Sequence, residues 1–447
     1  QWPFDRATVF APMLENICKF GPKAVGLDIV WSEDERLVSQ GVRKALSSAL
    51  PTSTNLDEIL QRSSGDGALK KAIELCGSKI VLGYALSRDP VTDSQKTEFE
   101  KRLKLISEQG RNTPTSSMTG PVKFANVESD RNANVDFYFI GRSGILNNPS
   151  IVPPETSQGF FNNDQDSDGN YRHGLMIYRA GMNFLPSLTL RMAQKAISPQ
   201  DSPANVLIQP NIPERGLVPE LRLDLSSTNG PRSVPIDLTG KVIVNYRGPN
   251  TSFTHVSMAD ILNNEPTIDT EQIDVNGQRK IAKTHKIDLF KDAHVLLGIT
   301  ALALYDIRPR PFDASAYGVE NHASILDNLL SDDFILRPPS SMLIWLIPLI
   351  ILMSLLYGTI ISKLDAKLGA LFGFAAIAGL LYLDQVFLFN NRRILFSGHL
   401  QAIQFLFQFI GITVLKYMHE ENDKKFIRSA FDKYVSPAVI NSMLKDP

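Results

Sequence analysis

Only two cysteines, Cys18 and Cys76, occur in 447 residues, which excludes a disulfide-built scaffold or a cysteine-clustered metal fold. Neither sign of charge is in surplus: the net charge is −1, so the chain offers no global basic field and no nucleic-acid partner is expected. The sequence also lacks a Gly-x-x-x-x-Gly-Lys phosphate loop, a His-Glu-x-x-His zinc helix and a Cys-x-x-Cys pair. No catalytic set is therefore expected within these residues. What is present is ordinary folded-protein material, 43% hydrophobic and 21% charged, with room for two or three domains.

The average conceals a split. Residues 1–337 have a soluble character, whereas most of 338–417 is lipid-like. Apolar runs at Ser340–Ser362, Leu368–Phe389 and Ile394–Leu415 are each long enough to cross a hydrocarbon core of about 30 Å as a helix. Short connectors predict an antiparallel hairpin and a third crossing. Asp384 falls near the end of the second run, and His399, Gln401, Gln404 and Gln408 make the third polar on part of its surface, so that run is expected to face other helices. Its stripe also motivates a homodimer.

Charge sets the orientation. Lys363, Lys367, Lys416, Lys424, Lys425 and Arg428 lie on one side of the spans and Arg337, Arg392 and Arg393 on the other, six against three. The positive-inside bias then places the 363–367 loop and the C-terminus in the cytoplasm of a plasma (inner) membrane, with residues 1–337 outside. A domain outside the cell needs export, yet Gln1 shows neither an initiator Met nor a signal peptide, so an N-terminal membrane anchor is expected to have been removed or left out. An oxidising exterior permits a bridge between Cys18 and Cys76; two buried thiols are the equal alternative.

The outer segment reads as α/β, with a mainly parallel sheet covered by helices. Phe10, Met13, Leu14, Ile17 and Phe20 recur at helical spacing, Gly21-Pro22 breaks the helix, and Lys23-AVGLDIV follows as a strand. Ser32-Glu-Asp-Glu35 offers a capping box for a helix carrying Val38, Val42, Ala45, Leu46 and Ala49. A helix around 66–76 and a strand at Lys79-IVLGYAL repeat the pattern; further strands are predicted at Asp136-FYFIG, Lys241-VIVNYRG and Ala293-HVLLGITA, with a long helix at 183–197. Segments 51–65, 109–134 and 264–286 are polar and read as excursions.

The string Gly26-LDIVWSE, the hairpin-like Gly159-FFNNDQDSDGNYRHGLMI, the strand Val242-IVNYRGP, and above all Asp306-IRPRPFD followed by Gly318-VENHASILDNLL resemble the cyclase/histidine-kinase-associated sensory extracellular domain of the second CHASE type. The resemblance covers roughly 1–335 and implies an unknown extracellular or periplasmic ligand and three membrane helices after the sensor. Beyond the third span, Phe431-xx-Tyr434-Val-Ser-Pro437-x-Val-Ile resembles the linker before the catalytic domain of class III nucleotide cyclases. In that linker, 418–447 here, Tyr434, Ser436 and Pro437 are the expected signal-transmission residues: a helix runs to about Tyr434, Ser436 caps the next, and Pro437 sits in its first turn, where no amide hydrogen is needed. Met418, Asn422, Phe426, Ala430 and Tyr434 offer a short dimer seam. The resemblance implies that the intact protein is an adenylate cyclase converting ATP to cyclic AMP and pyrophosphate as a homodimer, with Mg or Mn in a catalytic domain outside these residues. A histidine kinase, a diguanylate cyclase or a non-catalytic receptor is the alternative output.

Three constellations bear on ligands. Asp164, Asp166 and Asp168 have the spacing of the first half of a calcium loop, but position twelve is Leu175 where a bidentate Glu belongs, so Asp168-Gly169 is read instead as a hairpin turn between Gly159-FFN and Leu175-MIY. Asp28, Glu33 and Asp34 cluster at a strand's carboxyl end, where open α/β sheets place ligands, although a solvated helix start explains them too; Arg247, after the Val242 strand, joins the proposed receiving surface. Arg308, Arg310, Glu320 and His322 form either a ligand site or a structural network.

Overall fold

The computed structural model describes residues 4–35, 48–49, 65–89, 91–108, 123–124, 141–180, 183–197, 206–210, 221–225, 232–237, 239–250, 252–273, 279–300, 306–338 and 343–431. The expected helix from Val38, the strand at 136–140 and Tyr434, Ser436 and Pro437 lie outside them. The chain divides near residue 335 into two compact units.

The first unit runs α1 (Ala11–Lys19), β1 (Ala24–Leu27), α2 (Gly65–Cys76), β2 (Ile80–Ser87), α3 (Asp93–Glu108), β3 (Lys123–Phe124), β4 (Ser143–Ile145), β5 (Ser157–Phe160), β6 (His173–Leu175), β7 (Ile177–Ala180) and β8 (Asn183–Pro186). It continues through α4 (Leu188–Ile197), β9 (Val206–Pro210), β10 (Leu221–Leu225), β11 (Arg232–Ile236), β12 (Lys241–Ile243), α5 (Met258–Leu262), β13 (Thr267–Ile273), β14 (Arg279–His285), α6 (Lys286–Phe290), β15 (His294–Leu297) and α7 (Gly318–Ser331).

At its centre lies a five-stranded mixed sheet. Strands β15, β1, β2 and β5 are parallel neighbours, and β4 joins β2 antiparallel through Ala85–Ile145 and Ser87–Ser143. The strand residues alternate between two faces. Val25, Leu27, Ile80 and Leu82 pack with Met13, Leu14 and Ile17 of α1 and Leu69 and Ile73 of α2; Ala24 and Val81 pack with Leu188 and Met192 of α4 and Ile325, Leu326 and Leu329 of α7. Helices thus cover both faces, as an apolar parallel strand requires. Gly26 is needed here: a Cβ at that position would collide with Met192 Sδ, so α4 could not lie against β1.

The expectation of a mainly parallel sheet holds only for this core. The β9–β10–β11, β12–β6, β13–β14 and β7–β8 pairings are antiparallel, and the Val242 strand pairs with β6, outside the central sheet. Segment 264–286, read as an excursion, contains the β13–β14 hairpin. The long helix expected from 183 begins at Leu188, because Asn183–Pro186 pairs with β7 and Ser187 Oγ then accepts the Leu190 amide as the helix turns. Nor is there a hairpin around Asp168-Gly169: β5 pairs with β2 and β6 with β12, leaving 161–172 as a loop with a local turn, Gly169 at φ +83.

The second unit contains three helices of membrane-spanning length and apolarity, α8 (Leu343–Lys363), α9 (Ala366–Tyr382), which continues in π-helical turns to Asn390, and α10 (Gly398–Phe431). Asp365 caps α9 by accepting the Leu368 amide. Tyr357 stacks on Phe405 with ring centroids 4.2 Å apart and against Phe372 at 6.0 Å. The polar stripe is spent inside the chain: Gln401 and Gln404 donate to Ser354 Oγ (3.3 and 2.7 Å) and Gln408 to the Ser354 carbonyl (2.8 Å), while His399 is exposed. The amide nitrogens of the three glutamines thus have partners on α8, while Gln404 is also exposed. Lys416 Nζ donates to the carbonyls of Ile361 and Leu364 at 2.9 and 2.5 Å, closing the C-terminal turn of α8.

Cys18 and Cys76 form a disulfide between α1 and α2, with Cα atoms 5.3 Å apart and a sequence separation of 58. Replacing both with serine should lower the stability of the first unit by about 4 kcal/mol on the chain-entropy account, read as a lower melting temperature by circular dichroism and a matching drop when the native chain is reduced.

Candidate functional site

Strand β1 delivers the first functional side chain. Its four residues are buried, and the sheet hydrogen bonding continues one residue further, with the Asp28 amide donating to the Leu297 carbonyl at 2.8 Å. Asp28 therefore stands at the carboxyl edge of the sheet with its side chain 9% exposed. Helix α7 supplies the facing wall. The chain enters it through a tight segment in which Ile307 bridges Tyr317, Arg310 bridges Asp313, and the Gly318 amide donates to the Asp306 carbonyl at 2.9 Å. A Cβ on Gly318 would run into the Asp306 carboxylate, so glycine at the helix start lets that carboxylate lie against the first turn.

These elements enclose a cavity of about 170 Å³ lined by Asp28, Phe161, Asn163, Ile299, Asp306, Arg308, Gly318, Asn321 and His322. His322 Nε2 stands 3.7 Å from Asp28 Oδ2, beyond hydrogen-bond reach. Arg308 donates from Nε to Asp306 Oδ1 (2.9 Å) and from Nη1 to the Tyr171 hydroxyl (2.6 Å), with its guanidinium over the Tyr171 ring. Asn321 is 1% exposed, and among the described residues neither atom of its amide has a hydrogen-bond partner.

Of the residues singled out from sequence, the fold brings Asp28, Arg308 and His322 to this cavity. Arg310 and Glu320 form a separate buried pair, 2.7 Å apart and 1% and 2% exposed, with His255 Nε2 2.8 Å from the other Glu320 oxygen and the Arg310 guanidinium over Tyr246. That pair lies outside the lining of the cavity. Arg247 does not meet Asp28: it engages Asp327, Ser331 and Asp333 around the C-terminal end of α7. Glu33 and Asp34 do not line the cavity either; Asp34 accepts from Asn148 and the Glu33 carbonyl from Arg6. In the calcium-like loop, Asp166 and Asp168 are held by Arg172, Asp166 also by His173, and Asp164 by Arg88 and Lys241. Cationic side chains thus occupy the positions where calcium would need free oxygens.

Sequence reasoning missed Asp306, Asn321, Asn163 and Phe161. Asp306 and Asn321 stand inside the two strings that carry the family resemblance, yet neither spacing nor residue type distinguishes them from solvated neighbours.

The family model of the CHASE2 domain matches residues 1–361. The chain belongs to the CHASE2 family. No curated protein and no solved structure matched the chain. The CHASE2 match and the three membrane-length helices, the first of which lies within the matched residues, fit a transmembrane sensor receptor, and the cavity supplies a small, mostly buried polar site.

The charge states in the CHASE2 cavity follow from burial and from the charges beside it. Burial, reinforced by Asp306 and opposed by Arg308, pushes the Asp28 carboxyl up to about 7. Burial, with the nearby Arg308 cation and against a hydrogen bond to the Phe161 backbone, pushes His322 down to about 4. Near neutral pH the imidazole is uncharged and Asp28 is poised between its two forms.

The two shifts oppose each other in stability. Between about pH 4 and 7 the folded state holds a proton on Asp28 that the unfolded chain has released, so this group makes stability fall as pH rises. Between about pH 4 and 6.5 the unfolded chain holds a proton on His322 that the folded state lacks, so that group makes stability rise. Asp28→Asn removes the first effect alone. Its stability relative to the native chain should grow from near zero at pH 4 to on the order of 2–4 kcal/mol at pH 8, measured by thermal melts across that range.

Proposed function

We propose that this chain is the sensor and membrane portion of a receptor nucleotide cyclase, in which the CHASE2 domain faces the outside and receives a small ligand in the Asp28–His322 cavity. The observation that carries the receptor reading is that one chain joins a CHASE2 match with a buried polar cavity to three membrane-length helices, the first of them within the matched residues. The Cys18–Cys76 bridge favours an oxidising compartment for the domain, and the excess of Lys and Arg after α8 and along α10 favours a cytoplasmic C-terminus.

The output reading rests on the string from Phe431 through Tyr434, Ser436 and Pro437. Its resemblance to the class III linker leads to ATP as substrate, cyclic AMP and pyrophosphate as products, and Mg or Mn as the metals of a catalytic domain beyond the linker. In that chemistry the 3′-hydroxyl attacks the α-phosphate in line while two divalent ions act on nucleophile and leaving group. Class III catalysis assembles its site at a dimer interface, and this requirement is now the support for homodimerisation.

Expressed in membranes of a cyclase-deficient bacterium, the full-length protein should make cyclic AMP in the presence of Mg or Mn. Removing 1–335 behind a retained membrane anchor should leave cyclic AMP synthesis in place and abolish its regulation. A full-length protein that makes no cyclic AMP but phosphorylates itself on histidine would replace the output, and a truncated protein that still answers the stimulus would remove the sensor role from the CHASE2 domain.

A further inference from the structure

Three properties of the cavity at the edge of the central sheet narrow what it can hold. Its volume of about 170 Å³ is well below the roughly 300–1,000 Å³ of pockets that accept drug-sized ligands. Only a molecule of a few non-hydrogen atoms fits. Its charge leans negative: His322 is neutral, and the cation acting on an ionised Asp28 among the described residues is Arg308, which is already paired with Asp306. A buried carboxylate in that position favours a cationic group.

The third property is hydrogen bonding. The Asn321 amide, 1% exposed on the cavity wall, has neither its oxygen nor its nitrogen satisfied among the described residues. Whichever way the amide is turned, it offers one acceptor and two donors side by side, and a buried amide left unmet costs free energy that an occupant would recover. An occupant that meets this amide brings a donor and an acceptor together. Arg308 lies on the same wall with Nε and Nη1 in use, leaving Nη2 as a donor without a partner among the described residues.

We propose that this cavity binds a small primary amine that also carries an oxygen acceptor, the class of the smallest free amino acids and amino alcohols. Its ammonium group meets the Asp28 carboxylate and the Asn321 oxygen; its oxygen accepts from the Asn321 nitrogen and Arg308. The proposal deepens the receptor reading and rests on it. Because the ammonium favours ionised Asp28, binding at neutral pH releases a proton from that carboxyl.

Isothermal titration calorimetry of the full chain in detergent micelles tests the class, with glycine, alanine, serine and ethanolamine as probes against acetate, glycerol and tryptophan. At least one of the first four should bind saturably, tryptophan should not bind, and acetate and glycerol should bind at least tenfold more weakly or not at all. The heat at pH 7 should differ between phosphate and Tris in the direction of proton release. Asn321→Leu, an apolar substitution of similar shape, should weaken binding at least tenfold without lowering the melting temperature, and Asp28→Asn should do the same and abolish the buffer dependence. No binding of any of the four amines to the folded chain, or binding undiminished in both variants, overturns the proposal. Acetate or glycerol binding that requires Asn321 overturns the amine class while leaving the receptor reading intact, and that reading is decided separately by the 1–335 truncation.

Discussion

Burial of β1 on both faces is the constraint from which the sensory unit follows. Four residues, Ala24 to Leu27, are fully enclosed, with Val25 and Leu27 against α1 and α2 and Ala24 and Gly26 against α4. β1 carries no polar side chain along its length, and the first one after it stands at the carboxyl edge of the sheet. That residue is Asp28. Its depth, its shifted protonation and the cavity around it are consequences of how tightly the preceding four residues are held, and the missing Cβ of Gly26 is part of that tightness.

Much of this was legible in the sequence where the signal was local. The apolar spacing of α1, the Gly21-Pro22 break, the Lys23-AVGLDIV and Lys79-IVLGYAL strands and the three membrane-length segments depend on short-range periodicity, and the structure places elements there. What could not be read was pairing. Lys241-VIVNYRG has the composition of a central strand, but whether it joins β1 or β6 depends on a partner some 70 residues distant in sequence or more, and periodicity carries no such information. The Asp168-Gly169 dipeptide likewise has turn chemistry without determining which strands the turn connects.

The site was half legible for a related reason. Asp28, Arg308 and His322 drew notice because they are charged or titratable near a strand end or within a family-like string, and the fold does converge them. Arg247, of the same chemical type, goes to the opposite end of α7 because Asp327 and Asp333 are there to meet it. Arg310 and Glu320, adjacent in sequence to Arg308 and His322, satisfy each other in the dry interior. Asn321 shows the limit from the other side: what singles it out is the absence of a partner among the described residues, and an absence has no spelling in the sequence.

In the membrane helices, polar groups act as fasteners, in keeping with the scarcity of alternative partners in a hydrocarbon setting. Ser354 accepts from three glutamines of α10 at one level, and Lys416 closes the end of α8 at another. Two anchor points separated along the axis resist sliding, because displacing α10 by one helical turn of about 5.4 Å would break all of these bonds together. Relative to α8, then, α10 is a poor piston. Mechanical work passed down α10 toward Phe431 would move the two helices as one lever, by tilting or rotating the pair, with α9, whose contacts are mainly apolar, as the surface on which the lever turns.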